Sequence, residues 1–283
     1  MRSALCLGLA LSGTAIAANC TREALKAATD SLLAAQKAGD PNLLQPAPAS
    51  AASSLVYTED RRTADLKTGI LSKALGIDHN RSSLDTTQCA TYTEIIAANN
   101  PKPYVIGVQM HFAPDASAIE RVDALATSTG DWLFNATGTL YWASREDWGP
   151  IPEDQRDSRE TIQAAADAYC DIFNNKSVVV PWGHPCARLE GGSYTGNGGP
   201  NDRCDVGIPN GVSLTDRHYV IDETVGAVDV MMSFAGIPDS HEFRVEKGKL
   251  RYVHTMTVMT AAGARGPGML TMANIERLLR ERA

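Results

Sequence analysis

Leu25-Lys26-Ala27-Ala28-Thr29-Asp30 returns 137 positions further on as Ile162-Gln163-Ala164-Ala165-Ala166-Asp167, and that echo decides the fold. At the same offset Asp85-Thr86-Thr87 meets Asp222-Glu223-Thr224. With the offset shortened to 131, Ile119-Glu120-Arg121-Val122-Asp123 meets Leu250-Arg251-Tyr252-Val253-His254. A period this long exceeds the roughly 20–50 residues of solenoid and propeller repeats, so it reads as tandem duplication of a whole small domain.

Working outward, each copy opens on a helix. Leu25, Ala28, Leu32 and Ala35 recur at helical spacing, with Asn19 or Thr21 as cap and Gly39-Asp40-Pro41 as stop. Ile162, Ala166, Tyr169 and Phe173 form the matching stripe, capped at Asp157-Ser158 and ended by Asn174-Asn175. Strand-like runs follow: 86–96, 104–112 and 118–127 in the first copy, and 218–221, 225–234, 241–245 and 250–258 in the second. Lys247-Gly248-Lys249 is a tight hairpin turn between the last two. The expected fold class is α+β, each copy a helix packed on a curved antiparallel sheet. The copies span residues 19–131 and 157–262. Between them, residues 132–156 carry Trp132, Phe134, Tyr141, Trp142 and Trp148, a connector too aromatic to be a solvated linker. Residues 263–283 end in an amphipathic helix at 272–282.

Residues 1–18 read as a secretory signal peptide: Arg2, an apolar run from Ala4 to Ile16, then Ala15-Ile16-Ala17 as the cleavage site. No later run approaches the roughly 20 apolar residues of a membrane span. Five cysteines remain after the leader. In an oxidising compartment that points to two bridges and one spare thiol. Cys186 and Cys204 bracket a glycine-rich loop and form the first pair, Cys20 and Cys89 the second, which leaves Cys170 on the apolar stripe of its helix as a buried thiol. Asn80, Asn135 and Asn175 head glycosylation sequons. A net charge of -7 argues against a nucleic-acid partner.

The opening helix AAQKAGDPNLL (34–44) and the closing hairpin FRVEKGKLRYVHTMTV (243–258) resemble the NTF2-like (SnoaL-like) superfamily. The whole chain is similar to a group of secreted fungal proteins in which such units occur in tandem. The resemblance implies two cone-shaped domains, each with a pocket open at one end. Such pockets host isomerases, cyclases, dehydratases and non-catalytic binding domains alike, and fold alone does not choose among them.

Candidate chemistry is therefore argued from the residues. Strict alternation puts Leu250, Tyr252, His254, Met256 and Val258 on one face of the last strand, expected to be the pocket side. His254 is there either as a proton-transfer group or as a satisfied core histidine. Tyr169 from the opening helix is expected to reach the same space and donate to a developing oxyanion. Asp222 shares a face with His218, and is either an acid/base partner or a structural cap. In the first copy Asp123 matches His254, with Arg121 two residues away to hold it ionised. The catalytic expectation is thus His254, Tyr169 and Asp222, and the binding set is His218, Tyr252, Met256, Asp123 and Arg121. The Asn197, Asn201, Asp202, Asp205 cluster does not have EF-hand spacing, and no metal or cofactor motif stands out. The expected partner is a hydrophobic small molecule, transformed by cofactor-free proton transfer or simply bound.

Overall fold

The computed structural model describes residues 20–47 and 55–259; the leader and the tail helix read at 272–282 lie outside them. In the first unit, α1 (Arg22–Ala38) is capped by Thr21, whose hydroxyl accepts from the Ala24 amide at 3.2 Å. It ends at Gly39, which takes the left-handed φ of 65° that a β-carbon would oppose. Its apolar stripe Leu25, Ala28, Leu32 and Ala35 is buried as the spacing predicts. Six strands follow: β1 (Val56–Glu59), β2 (Arg62–Thr63), β3 (His79–Asp85), β4 (Ala90–Ala97), β5 (Tyr104–Phe112) and β6 (Ile119–Thr127). They form one sheet in the order β2-β1-β6-β5-β4-β3.

The connector contains α2 (Ala136–Ala143), and the second unit repeats the first. It comprises α3 (Arg159–Asp171), β7 (Trp182–Glu190), β8 (Ser193–Tyr194), β9 (Leu214–Asp222), β10 (Ala227–Phe234), β11 (Ile237–Glu246) and β12 (Lys249–Thr257). Its sheet order, β8-β7-β12-β11-β10-β9, is the same path. The caps Thr21 and Ser158 stand 137 residues apart, as do the opening helices they start. The fold is α+β in two similar units.

Two corrections to the sequence reading concern the sheets. They are mixed, not antiparallel: β1 runs parallel to β6 and β7 parallel to β12. Strands β1, β2, β3, β7 and β8 did not stand out as strands, because β3 is the polar run His-Asn-Arg-Ser-Ser-Leu-Asp and β7 sits where glycines and cysteines signalled a loop.

Each helix covers one face of its sheet, and the other faces of the two sheets pack on each other. Leu25, Leu32, Ile106, Val108 and Val122 share the first helix–sheet core. Ile162, Tyr169, Phe243 and Val253 share the second. Tyr92, Leu125, Val220, Met231 and Met256 form a third between the sheets, joined by Ala136 and Ala143 of the connector.

The sheet–sheet interface is related to itself by a local two-fold. Arg22 reaches across to Asp222 with two bonds of 2.7 and 2.8 Å. Arg159, its counterpart, reaches back to Asp85 with bonds of 2.9 and 2.7 Å. Asp222 also accepts from the Leu84 amide and Asp85 from the Ile221 amide, each across the interface. This reciprocity is the mark of an isologous contact, in which residue i meets j and j meets i.

Both units also share one irregularity. Phe112 pairs with Ile119 but His111 with Arg121, and Val245 pairs with Leu250 but Arg244 with Tyr252. One extra residue in β6 and one in β12, a β-bulge, inverts the alternation after it. Leu250 and Val253 therefore point into the same helix-side core. Tyr252, His254 and Met256 face the other unit, which reverses the pocket-side placement expected from strict alternation.

Candidate functional site

The face of β11 and β12 under α3 carries Asp239, His241, Thr255 and Thr257 beside the apolar Phe243 and Val253. His241 lines a cavity of about 50 Å³ with Phe173, Arg188, Phe234, Thr255 and Thr257, and Trp132 contributes from the connector. Behind it, Asp239 Oδ2 lies 2.8 Å from His241 Nδ1, an ion-pair distance that is off the line of a good hydrogen bond. The other Asp239 oxygen is fixed by the Thr257 hydroxyl at 2.6 Å. Tyr169 packs against His241, with ring centroids 5.5 Å apart. Burial pushes its phenol well above its ordinary value, and Arg188 partly opposes this. Arg188 in turn stands 2.9 Å from Glu190.

Strand pairing lets each of these positions be compared with its counterpart in the first unit. There Ile106 stands for Asp239, Val108 for His241, Ala124 for Thr255 and Ala126 for Thr257. On the helix, Leu32 stands for Tyr169. The same fold thus closes one core with aliphatic side chains and places an acid, an imidazole, two hydroxyls and a phenol in the other. Burying polar groups costs free energy that packing does not require.

His254 lies on the opposite face of the sheet, since it pairs with Glu242 and not with His241. Its Nδ1 meets Glu94 at 2.9 Å and its Nε2 meets Glu146 of the connector at 2.6 Å. With a carboxylate on each nitrogen, both act as donors and the ring is an imidazolium. Burial opposes that charge, but Glu94 and Glu146 outweigh it and raise His254 to about 9. Burial likewise opposes ionisation of Glu94, yet Arg81 and His254 bring it down to about 2. Burial pushes Glu242 up against the pull of Arg81. Trp148 closes it, its ring 3.7 Å from the Arg81 guanidinium and 5.2 Å from His254.

Glu94, Glu242 and His254 are the one grouping with metal-ligand spacing among the described residues, their ligand atoms within 4.8 Å of one another. Arg81 is ion-paired to both glutamates and stands beside His254 Nδ1, so the donors are already neutralised by cations of the protein. That donor set does not fit an added metal ion.

The three residues expected to act together are therefore in three places. Tyr169 belongs to the helix-side core of unit two, His254 to the inter-unit cluster and Asp222 to the Arg22 anchor. The binding set divides too. Tyr252 stacks on Trp148, with centroids 5.6 Å apart, and Met256 fills the sheet–sheet core. Arg121, Asp123 and His218 meet at a separate cleft. His241 and Asp239 were missed, although the run Asp239, His241, Phe243, Val245 shows two polar side chains on an otherwise apolar strand face.

Cys20–Cys89 and Cys186–Cys204 are bridged, and Cys170 is a buried free thiol, all as read from the sequence. The bridges are compatible with a secreted protein, and no helix among the described residues is long and apolar enough to cross a membrane. Asn80, Asn135 and Asn175 are exposed, Asn135 as the cap of α2. Asp202 is spent on the Asn197 and Gly198 amides of its own loop. Of the connector tryptophans, Trp148 is buried and Trp132 and Trp142 are half-buried, while Tyr141 is exposed.

A family model described as Domain of unknown function (DUF8021) matches residues 155–257. That span runs from just before α3 to the end of β12, one unit of the two. No curated protein matches the chain.

Proposed function

We propose that the protein is a secreted, cofactor-free catalyst of proton transfer, performing an isomerisation, cyclisation or dehydration on a small, mostly apolar molecule held in the cone of unit two. The architecture is read as two NTF2-like (SnoaL-like) cones in tandem, of which one keeps a working pocket. The contrast between the units carries this reading: Asp239, His241, Thr255, Thr257 and Tyr169 replace Ile106, Val108, Ala124, Ala126 and Leu32 in an otherwise repeated core. His241 is the proton-transfer group and Asp239 its orienting partner; bonds of this kind are often misaligned until a ligand seats. Arg188 lines the cavity and is the donor to a developing oxyanion, with the Tyr169 phenol hydrogen-bonded beside it. Trp132, Phe173 and Phe234 supply the apolar wall.

Deuterium wash-in from D2O into a panel of small cyclic ketones, followed by proton NMR, tests the proposal. Exchange should be accelerated by the protein, and His241→Ala should slow it by about 10²–10⁴-fold, the scale for losing a general acid or base. Equal exchange in both proteins would remove His241 from the chemistry.

One observation favours a second reading, in which the pocket of unit two has closed and the protein is a non-catalytic interaction protein. The cavity of about 50 Å³ is well below the roughly 300 Å³ of ordinary ligand pockets. Under that reading the same ketones show neither deuterium uptake nor saturable line broadening.

A further inference from the structure

The two-fold between the units generates two related clefts where the sheets meet, and among the described residues the connector fills one of them. In the filled cleft, Trp148 packs on Tyr252, His254 and Arg81. Strand pairing makes Arg121 the counterpart of Tyr252, Asp123 that of His254, and His218 that of Arg81. These three counterparts line a cleft of about 80 Å³, floored by Leu125 and Met231 and flanked by Arg61. Among the described residues no indole takes the equivalent place here.

The chemistry of the second cleft follows from its lining. Arg121 commits Nε and Nη2 to Asp123, at 2.5 and 2.8 Å, while its Nη1 has no hydrogen-bond partner among the described residues. The Thr58 hydroxyl also donates to Asp123, so that acid is already satisfied and does not call for a cationic guest. Among the described residues Arg61 is held by the Asp216 carboxylate at 3.2 Å, long for a charge-assisted hydrogen bond, and by the Asp216 carbonyl at 3.4 Å. Guanidinium groups favour both carboxylates and the faces of aromatic rings. The floor of Leu125 and Met231 belongs to the sheet–sheet core and offers no hydrogen bond.

We propose that this cleft is a binding site for a single aromatic ring bearing a carboxylate. The ring takes the place that Trp148 holds in the related cleft, over Leu125 and Met231, and the carboxylate meets Arg121 and Arg61. The site is separate from the cone of unit two and does not depend on its function.

Titration of the full mature chain with benzoate, read by calorimetry and by ligand-observed NMR, tests the site. Benzoate should saturate at one equivalent, with benzyl alcohol and acetate each binding more weakly. Arg121→Gln and Arg61→Gln should each weaken benzoate by about ten- to a hundredfold, the scale of a charge-assisted hydrogen bond. Because Arg121→Gln also disturbs Asp123, the decisive variant is His218→Trp, which starts from an exposed position and plugs the cleft. Loss of binding in His218→Trp with the melting temperature kept supports the proposal. Unchanged binding in that variant, or no saturable binding to the wild type, overturns it. Binding lost in His241→Ala but kept in His218→Trp would place benzoate in the cone, overturning this site while leaving the proposed function intact.

Discussion

Arg159 closes on Asp85 across the unit interface through two parallel N–H···O bonds, and the carboxylate it neutralises is fully buried. Removing one partner of such a pair leaves an uncompensated charge, which costs about 3–5 kcal/mol. Arg159→Leu should therefore destabilise the protein by that amount in urea unfolding at neutral pH. Arg22→Leu should cost less, because the Arg22 side chain is 35 % exposed and water can partly replace it at Asp222. Equal losses would show that the two halves of the interface are energetically alike.

The cluster around His254 sets a pH window for stability. His254 is raised from about 6.5 to about 9 on folding, so its contribution is complete below pH 6.5 and fades as pH climbs through 9. Glu94 is brought from 4.5 to about 2, so its contribution is present above pH 4.5 and fades as pH falls through 2. Stability should form a plateau between pH 4.5 and 6.5 and decline on the alkaline side by an amount on the order of 3 kcal/mol. Denaturant midpoints measured from pH 6 to 10 check this, and His254→Gln should remove the alkaline slope.

Unit one supplies a template for removing the polar groups of unit two. Asp239→Ile together with His241→Val writes the first core into the second. Exchanging a buried pair of polar or ionisable side chains for apolar residues of similar size is commonly neutral or stabilising, by about 1–4 kcal/mol where the pair is ionic. The double variant should melt no lower than the wild type while losing deuterium wash-in activity. A clear drop in stability would mean that the pair is there for the fold.

Cys170 lies against the helix-side core, and burial pushes its thiol far above the ordinary range. The thiolate is the reactive form. Iodoacetamide should leave the native chain unlabelled and modify one cysteine after unfolding without reductant. Labelling of the native protein would contradict the packing of α3.

The features legible in the sequence are those coded locally. Helix starts follow from Thr21 and Ser158, the hairpin from Lys247-Gly248, and the Arg121–Asp123 pair from spacing two along a strand. The match of Asp123 with His254 was also readable, and strand pairing places them at equivalent positions. What failed depends on partners far away in the chain. The bulge before Tyr252 is a property of pairing with β11, and period-two reading cannot see it. Glu94 and Glu146 gain meaning only when the connector folds back onto β4 and β12, 160 and 108 residues from His254.

The connector has a thermodynamic consequence of its own. Two separate units held by this self-complementary interface would dissociate on dilution, with a population set by their concentration. Joined through residues 128–158, with Trp148 and Glu146 docked between the sheets, each unit meets its partner at a local concentration in the millimolar range. Association then no longer depends on how many molecules share the solution, and the chain keeps both of its halves together at any dilution.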